Sequence, residues 1–248
     1  MKIRDLFKDE YAVKARFLPA ILTAVPFGFL IAYPFSEYVL SLKDGLDIVS
    51  KCTFYTSLAG SVLIITIFVW AFLVRLIAKF IELIVFKDEL SFPTTKLLMW
   101  GNAYYTKDIK KKIHQRIKKD FGVQLSNESE EEADRVEAAT KIARVVARIR
   151  DKVKDGRIVL QYNIHYGAVR NLTAGSIISL VASSLLVWMG YSNNSMKSAM
   201  DVGIVLSLGY MIVLATAKFT WAFLGKLYAK ELIDEYMSSE CNNLNTYT

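Results

Sequence analysis

Four apolar stretches without a charged side chain constrain the fold of this chain more than any other feature. They cover residues 17–36, 52–74, 172–192 and 202–217, and the last regains its apolar pattern after Lys218. A helix that crosses the hydrocarbon core of a bilayer needs about 20 apolar residues. Soluble helices alternate apolar and polar faces, which these stretches do not. The sequence therefore predicts an all-α membrane protein with four transmembrane helices.

Apolar and basic residues are both abundant, and they are segregated along the chain. Hydrophobic residues make up 53% of the sequence, yet its net charge is +7. The only cysteines, Cys52 and Cys241, lie in an apolar run and in a polar segment, so we expect no disulfide framework. The first apolar run lacks a small-residue cleavage site, so we interpret it as a retained span rather than a signal peptide.

The distribution of lysine and arginine predicts the orientation. With four spans, both termini and the segment between spans two and three lie on one side, which holds 28 of the 31 basic residues. The positive-inside rule places that side in the cytoplasm. We therefore expect a multi-pass membrane protein with cytoplasmic N- and C-termini.

These boundaries divide the chain into five parts. We expect a cytoplasmic N-terminal segment (1–16), spans one and two with a cytoplasmic extension (17–87), a basic helical cytoplasmic domain (88–171), spans three and four (172–225) and a cytoplasmic C-terminal tail (226–248).

Capping residues predict the helices of the inserted domain. Thr106 is a typical N-cap and Gly122 a typical helix end, so we expect a helix between them. A second helix is predicted over residues 129–155, because acidic residues open it and basic residues close it. Residues 159–172 are predicted either as a helix broken at Gly167 or as a short strand and turn.

The basic helix between Thr106 and Gly122 is the most informative polar segment. One interpretation is a surface that faces water or anionic lipid headgroups. The other is a phosphate-binding surface, in which basic side chains donate hydrogen bonds and aromatic rings, including Tyr104 or Tyr105, stack on bases. The candidate ligand-binding residues are Lys107, Lys111, His114, Arg116, Lys118, Tyr162, His165, Tyr166 and Arg170.

Small and hydroxylated residues recur at helical spacing within the spans. They favour close helix packing, and the alternative is that one such face lines a water-filled path. The residues are Ser57, Ser61, Gly175, Ser179, Ser183, Gly203 and Ser207. Lys218 is the one charged residue at a span, which argues against a transporter coupled to protons or ions.

Three sequence motifs carry a resemblance to a known family. The strings FPTTKLLMWGN (92–102), KKKIHQRI (110–117) and YNIHYGAVRNL (162–172) resemble motifs of a family of bacterial four-span membrane proteins. That family favours two arginines before the Asn-Leu pair, whereas Val169 precedes Arg170 here. Such proteins are similar to membrane effectors of anti-phage systems, including the Hailong effectors. The resemblance implies an oligomeric ion channel controlled by nucleotide oligomers.

No enzyme motif is present in the sequence. The two histidines lack the spacing of a zinc site, and there is neither a glycine-rich phosphate loop nor a Gly-x-Ser-x-Gly elbow. We therefore expect no catalytic residues, metal or cofactor. The leading hypothesis is a homo-oligomeric pore or ion-channel effector of anti-phage defence, in contact with membrane lipid and controlled by a nucleotide or oligonucleotide. The alternative is a membrane-anchored sensor or scaffold that docks a soluble partner protein from the same operon.

Overall fold

The computed structural model describes residues 10–41, 66–86, 90, 92–154, 156–193 and 196–244, and this part of the chain is helical without strands. A π-helical segment, Ala12–Phe17, continues into α1, Leu18–Ser41. Residues 66–85 form α2. The remaining helices are α3 (Pro93–Leu98), α4 (Lys107–Phe121), α5 (Glu128–Ala133), α6 (Arg135–Val153), α7 (Arg157–Ser192) and α8 (Lys197–Leu244).

Local side-chain chemistry sets the ends of α4, as the sequence predicts. The Thr106 hydroxyl accepts a hydrogen bond from the N–H of Ile109 at the start of the helix. Gly122 ends it in the left-handed region, with a φ of 66°, and donates its N–H to the carbonyl oxygen of Lys118. A side chain at Gly122 would be strained, because L-residues rarely adopt this backbone conformation.

The single helix predicted over residues 129–155 is wrong, because two helices occupy this region. Asp134 has an extended backbone with φ −143° and ends α5. Its carboxylate accepts the N–H of Glu137 at 2.9 Å and so caps the start of α6. The aspartate therefore stabilises a new helix start at the point where the acidic run gives way to the apolar stripe.

The region 159–172 is an uninterrupted part of α7, so both predicted alternatives for it, a broken helix and a strand, are wrong. Gly167 remains helical within it. A Cβ atom at this position would lie 3.1 Å from the Tyr11 hydroxyl oxygen and 3.2 Å from the Ala15 Cβ. The glycine therefore allows a close approach of the N-terminal helical segment and does not break the helix.

The chain divides into two compact units. One comprises residues 1–81 and 167–218 and is called the apolar unit; the other comprises 82–166 and 219–248 and is called the charged unit. Among the described residues, three helices are long and apolar enough to cross a membrane: Ala12–Tyr33, Arg157–Ser192 and Lys197–Ser239. The second and third contain predicted spans three and four, and the first covers residues 17–33 of predicted span one. Most of predicted span two, residues 52–65, lies outside the described residues, as do Ser57 and Ser61.

Thr23 is the centre of the packing in the apolar unit. Its hydroxyl accepts a hydrogen bond from the Trp70 indole N–H at 3.1 Å, and its carbonyl oxygen accepts one from Ser179. Beside it, the Tyr210 hydroxyl donates to the Leu22 carbonyl oxygen at 2.8 Å. Four helices thus meet at one level through polar groups, whose hydrogen bonds are satisfied away from water.

The charged unit has its own hydrophobic core, to which five helices contribute. Leu98, Ile113, Ile117 and Ile149 are fully buried in it. The sequence predicts a tail from residue 226 onward, whereas in the structure α8 continues to Leu244 and buries part of this segment in the core. The buried residues are Ala229, Leu232, Ile233 and Tyr236. Their spacing of three, one and three residues places them on a single helix face.

We expect Ile233→Ala to destabilise the charged unit. The residue is fully buried, so truncation leaves a cavity that costs about 2–5 kcal/mol. Amide hydrogen exchange in the full-length protein should show faster exchange throughout α4 and α6. Ser238→Ala, at an exposed position of the same helix, is the matched control and should change little. Unchanged protection of α4 in Ile233→Ala would contradict the assignment of α8 to this core.

Two glycine substitutions test the packing around Thr23. A Cβ at Gly175 would lie 2.5–2.7 Å from side-chain atoms of Thr23, whereas a Cβ at Gly209 meets nothing within 4 Å. Gly175→Ala should therefore lower the melting temperature in detergent, with an overpacking cost of about 1–3 kcal/mol. Gly209→Ala should be neutral or stabilising, because alanine favours helix over glycine. Equal melting temperatures for the two variants would contradict this packing.

Candidate ligand-binding surface

The loop after α3, which carries the Met-Trp-Gly-Asn part of the first motif, is held by two buried charged side chains. Lys110 is 1% exposed and donates from its ammonium group to the carbonyl oxygens of Met99, Trp100 and Asn102. The Glu131 carboxylate, 6% exposed, accepts the backbone N–H groups of Trp100 and Gly101 at 2.9 and 3.2 Å. Both charges are satisfied by the backbone of this loop, so their role in the structure is to fix its conformation.

His114 lies on the inner side of α4, beside this loop. Its ring packs edge-on against Trp100, with centroids 4.9 Å apart, and its buried Nε2 has no hydrogen-bond partner among the residues that the structure describes. Burial lowers the pKa of His114 from its ordinary value of 6.5. A hydrogen bond with the Leu98 backbone and the charge of Glu131 act in the opposite direction, whereas the neighbouring Lys110 ammonium lowers the pKa further. The imidazole is therefore held in its neutral form, which is unsuited to binding a phosphate.

Arg116 is also turned inward, towards α8. Its guanidinium donates to the Met237 carbonyl oxygen at 2.8 Å and to the Ser239 hydroxyl at 3.1 Å. The guanidinium carbon lies 4.6 Å from the centroid of the Tyr236 ring, in a cation–π arrangement. These contacts join α4 to the C-terminal part of α8.

Asp120 completes the polar network around Arg116. Its Oδ2 lies 3.5 Å from the Arg116 Nε and accepts hydrogen bonds from Lys152 at 2.7 Å and the Tyr236 hydroxyl at 2.9 Å. Burial acts to raise the pKa of Asp120, but these hydrogen bonds outweigh it and hold the pKa below its ordinary value of 3.8. The carboxylate therefore stays ionised at neutral pH and links α4, α6 and α8.

The outer face of α4 carries the lysines that remain exposed. Of the predicted ligand-binding residues, Lys107, Lys111 and Lys118 lie here. Lys107 forms an ion pair with Glu128 at 2.7 Å, and Lys118 donates to the Gln124 side chain at 3.1 Å. Lys111 and the neighbouring Lys112 point away from the core. This exposed face is the surface on which α4 presents positive charge.

The predicted residues on α7 are divided between the two units. Tyr162, His165 and Tyr166 belong to the charged unit, and Arg170 belongs to the apolar unit, where it is 8% exposed. His165 is exposed, with Tyr162 at a ring distance of 6.4 Å, and the Tyr166 hydroxyl donates to Glu82 at 3.1 Å. Within the charged unit, Tyr104 is also exposed, and Tyr105 donates its hydroxyl proton to Asp234.

Most of the small residues predicted for a pore or for helix packing are buried within one copy of the apolar unit. Ser179 and Ser183 are fully buried. The Ser183 hydroxyl donates to the Ser179 carbonyl oxygen, and the Ser179 hydroxyl shares its proton between the carbonyl oxygens of Thr23 and Gly175. A Cβ at Gly203 would lie 2.8 Å from the Ser183 carbonyl oxygen. Ser207 is half-buried. Within a single chain, these residues therefore serve close packing of helices.

Sequence reasoning missed Lys110, Glu131 and Asp120 as the residues that organise the charged unit. Lys110 precedes Ile113 by three residues and Ile117 by seven, so helical spacing places it on the buried stripe. That spacing was the available signal. No comparable signal exists for Glu131, whose partners lie 30 and 31 residues earlier in a loop.

Among the described residues, no group of three or more His, Cys, Asp or Glu side chains could hold a metal ion. Comparison of the chain with protein-family models, with curated proteins and with solved structures finds no match. The resemblance to the anti-phage effectors therefore stays a prediction from the three sequence motifs.

His114→Gln should reduce the pH dependence of stability of the charged unit. Because burial lowers the His114 pKa, the unfolded state binds more protons below about pH 6.5, and stability falls as pH falls through this range. Amide hydrogen exchange in α4 of the wild type should accelerate from about pH 7 to about pH 5.5 beyond the intrinsic effect of pH, and less so in His114→Gln. The exposed His165→Gln is the matched control and should behave as the wild type; an identical pH profile in His114→Gln would contradict the argument.

Proposed function

We propose that this chain is a homo-oligomeric pore of the bacterial inner membrane, with the charged unit and both termini in the cytoplasm. In this proposal, the transmembrane helices of several copies surround a common path for ions. The charged unit receives the signal that controls the path. The resemblance of the three motifs to anti-phage effectors supports a role in defence.

The observation that carries the proposal is the sparse packing of α8 within one chain. In its most apolar window only 11% of residues are buried, against 44% in α7. Several of its large apolar residues within the apolar unit are exposed, among them Val205, Leu208 and Ile212, which are 69%, 53% and 66% exposed. A span with so few partners in the described part of its own chain has a large surface for packing against other copies.

The residue types in the spans favour a pore that ions cross passively over a coupled transporter. Residues 172–192 and 202–217 contain no ionisable side chain except tyrosine, so they offer no carboxylate or histidine relay. Transporters coupled to protons or ions depend on such residues within the membrane. A pore gated by an apolar constriction does not.

The outer face of α4 is the best-supported position for the signal. Lys111 and Lys112 are exposed there, whereas His114 and Arg116 take part in internal contacts. A nucleotide or oligonucleotide would bind this face through its phosphates, and repetition of the face around an oligomer axis would increase the positive potential. A ligand that binds one conformation of the charged unit more tightly would shift the pore towards that conformation.

Disulfide cross-linking tests the oligomer, and ion flux tests the pore. In a background with Cys52 and Cys241 replaced by serine, Ile212→Cys should form disulfide-linked dimers on oxidation in membranes, because each copy then carries a single cysteine. Its side chain is 66% exposed on the α8 face that we assign to the interface. Liposomes that contain this protein, oxidised or reduced, should pass potassium ions in at least one of the two states.

Val181→Cys is the matched control for cross-linking, because it is 60% exposed on α7. It should cross-link several-fold more slowly than Ile212→Cys. Equal cross-linking at the two positions would contradict an α8 interface. Liposomes that remain impermeable to potassium ions with both the oxidised and the reduced protein would contradict the proposed pore.

The self-contained core of the charged unit favours a second candidate function, a membrane-anchored sensor or scaffold. In that case the charged unit docks a soluble partner, and the spans serve only as an anchor. The charged unit comes from two separate parts of the chain, residues 82–166 and 219–248. A fusion of these two parts without the spans should retain biological activity if the protein is a scaffold, and lose it if the protein is a pore.

A further inference from the structure

The charged unit has opposite net charges at the two ends of α6. Residues 128–141, which include α5 and the first two turns of α6, contain six carboxylates and two basic residues. Residues 144–157, which include the later turns of α6 and the start of α7, contain six basic residues and two carboxylates. The first segment therefore has a net charge of −4 and the second a net charge of +4.

The helix dipole of α6 explains only part of this separation. Carboxylates in the first turn and cations in the last turn stabilise a helix, but this effect falls off within about one turn. Arg144 lies nine residues before the end of α6, and Glu132 lies in α5. Arg157 opens α7, where the dipole of that helix disfavours a cation. The α6 dipole therefore does not account for these three charges.

The acidic end presents one apolar side chain beside exposed carboxylates. Val136 is 65% exposed, with Glu132 four residues before it and Glu137 directly after it. Glu137 forms an ion pair with Lys141 at 2.7 Å, but such an exposed pair is weak, so its carboxylate remains accessible to a partner. Arg135 is exposed beside Val136, whereas Glu132 has no ion pair within the part of the chain that the structure describes. We call Glu132, Val136 and Glu137 the acidic surface.

The basic end has the same arrangement with the opposite charge. Ile158 is 53% exposed, with Lys154 four residues before it and Arg157 directly before it. Both basic side chains are exposed. We call Lys154, Arg157 and Ile158 the basic surface. Each end of α6 thus combines an exposed branched apolar side chain with charges of a single sign.

Carboxylates near the basic surface lower its charge without neutralising it. They are Asp120, Asp151, Asp155 and Glu235. Asp120 accepts a hydrogen bond from Lys152 at 2.7 Å, and Asp155 lies outside the described residues. The Glu235 Oε1 lies 3.1 Å from the position that a Cβ at Gly156 would occupy. None of the three described carboxylates forms an ion pair with a cation of the basic surface, so both cations can pair with another molecule.

The acidic and basic surfaces cannot neutralise each other within one chain. From Val136 to Lys154, α6 rises about 27 Å, because a helix rises about 1.5 Å per residue. The Debye length at physiological ionic strength is about 8 Å, so the attraction between the two surfaces is largely screened over this distance. Each surface can be neutralised by a surface of opposite charge on another molecule, and a second copy of the chain provides one.

We propose that the acidic surface of one copy docks on the basic surface of a second copy. Val136 and Ile158 form the apolar centre of this contact, and the charged side chains beside them form its rim, as is usual at protein interfaces. The opposite charges of the two surfaces set the register of the contact. This inference rests on the homo-oligomer of the proposed function but not on its path for ions.

Disulfide formation between two differently tagged full-length copies tests the contact. In the background with Cys52 and Cys241 replaced by serine, one copy carries Val136→Cys and the other carries Ile158→Cys. Oxidation of membranes that contain both copies should produce a mixed disulfide, because the contact joins unlike surfaces. Either copy alone should form homodimers at least about fivefold more slowly. Homodimers of Val136→Cys that form as fast as the mixed disulfide would overturn the proposal.

Charge reversal tests whether the opposite charges drive the docking. E132K/E137K in the copy that carries Val136→Cys should slow the mixed disulfide at least about fivefold, because like charges then face each other across the contact. K154E/R157E in the other copy should slow it in the same way. The two reversals together should restore the original rate. If single reversals leave the rate unchanged, or if their combination does not restore it, the proposal is wrong.

The matched control is K111E/K112E, which reverses two exposed charges on the outer face of α4. In the copy that carries Val136→Cys, it should leave the rate of the mixed disulfide unchanged. Slowing equal to that of E132K/E137K would contradict the assigned surfaces.

Ionic strength gives a test without charge reversal, which is needed if a reversed variant does not fold, as judged by circular-dichroism melting. The rate of the mixed disulfide between the two single-cysteine copies should fall several-fold from about 0.05 M to about 0.5 M salt, because the Debye length shortens. A rate that does not depend on salt would count against docking by opposite charges.

Cross-linking at Ile212→Cys and ion flux distinguish this docking from the pore. If the mixed disulfide does not form while Ile212→Cys still cross-links, the docking is wrong and the α8 interface stands. If the mixed disulfide forms but the liposomes do not pass potassium ions, the docking is supported and the pore is contradicted. Cross-linking of Val136→Cys to a different protein in place of a second copy would refute the docking.

Discussion

Helices α7 and α8 are each shared by the apolar and charged units, and this continuity is the constraint on which the rest of the structure depends. Residues 157–166 of α7 and 219–244 of α8 belong to the charged unit, and the remainder of each helix belongs to the apolar unit. Each helix must therefore suit two environments along one uninterrupted backbone. In α8 a change of side chains achieves this: residues 202–217 are apolar all round, whereas residues 229–236 have a single apolar stripe with charged residues opposite.

Local chemistry explains which parts of the fold could be predicted from the sequence. The ends of α4 depend on Thr106 and Gly122, whose effects act within one helical turn, and both were correctly predicted. The apolar helices follow from hydropathy, which requires no knowledge of neighbours. The break at Asp134 was missed because an aspartate within an acidic run is equally compatible with the first turn of a longer helix.

The sequence identifies the type of each candidate ligand-binding residue, but it does not show which of these side chains are exposed and which are buried. Arg116 has its partners 121 and 123 residues later in the sequence, at Met237 and Ser239, and no local pattern reveals such a pairing. The contribution of α8 to the core was missed for a different reason. Its stripe from Ala229 to Tyr236 is interrupted by one lysine and three carboxylates, so hydropathy alone describes it as a polar tail, although its helical spacing is regular.

The position of this stripe in the chain imposes an order on biosynthesis. The ribosome synthesises residues 97–159 well before residues 229–236, and the apolar parts of α7 and α8 come between them. The core of the charged unit therefore stays incomplete until both of these hydrophobic segments have left the ribosome. During that interval Ile113, Ile117 and Ile149 lack part of their final covering, and contacts with chaperones or the insertion machinery are favoured. Completion of the core is thereby coupled to completion of the membrane helices.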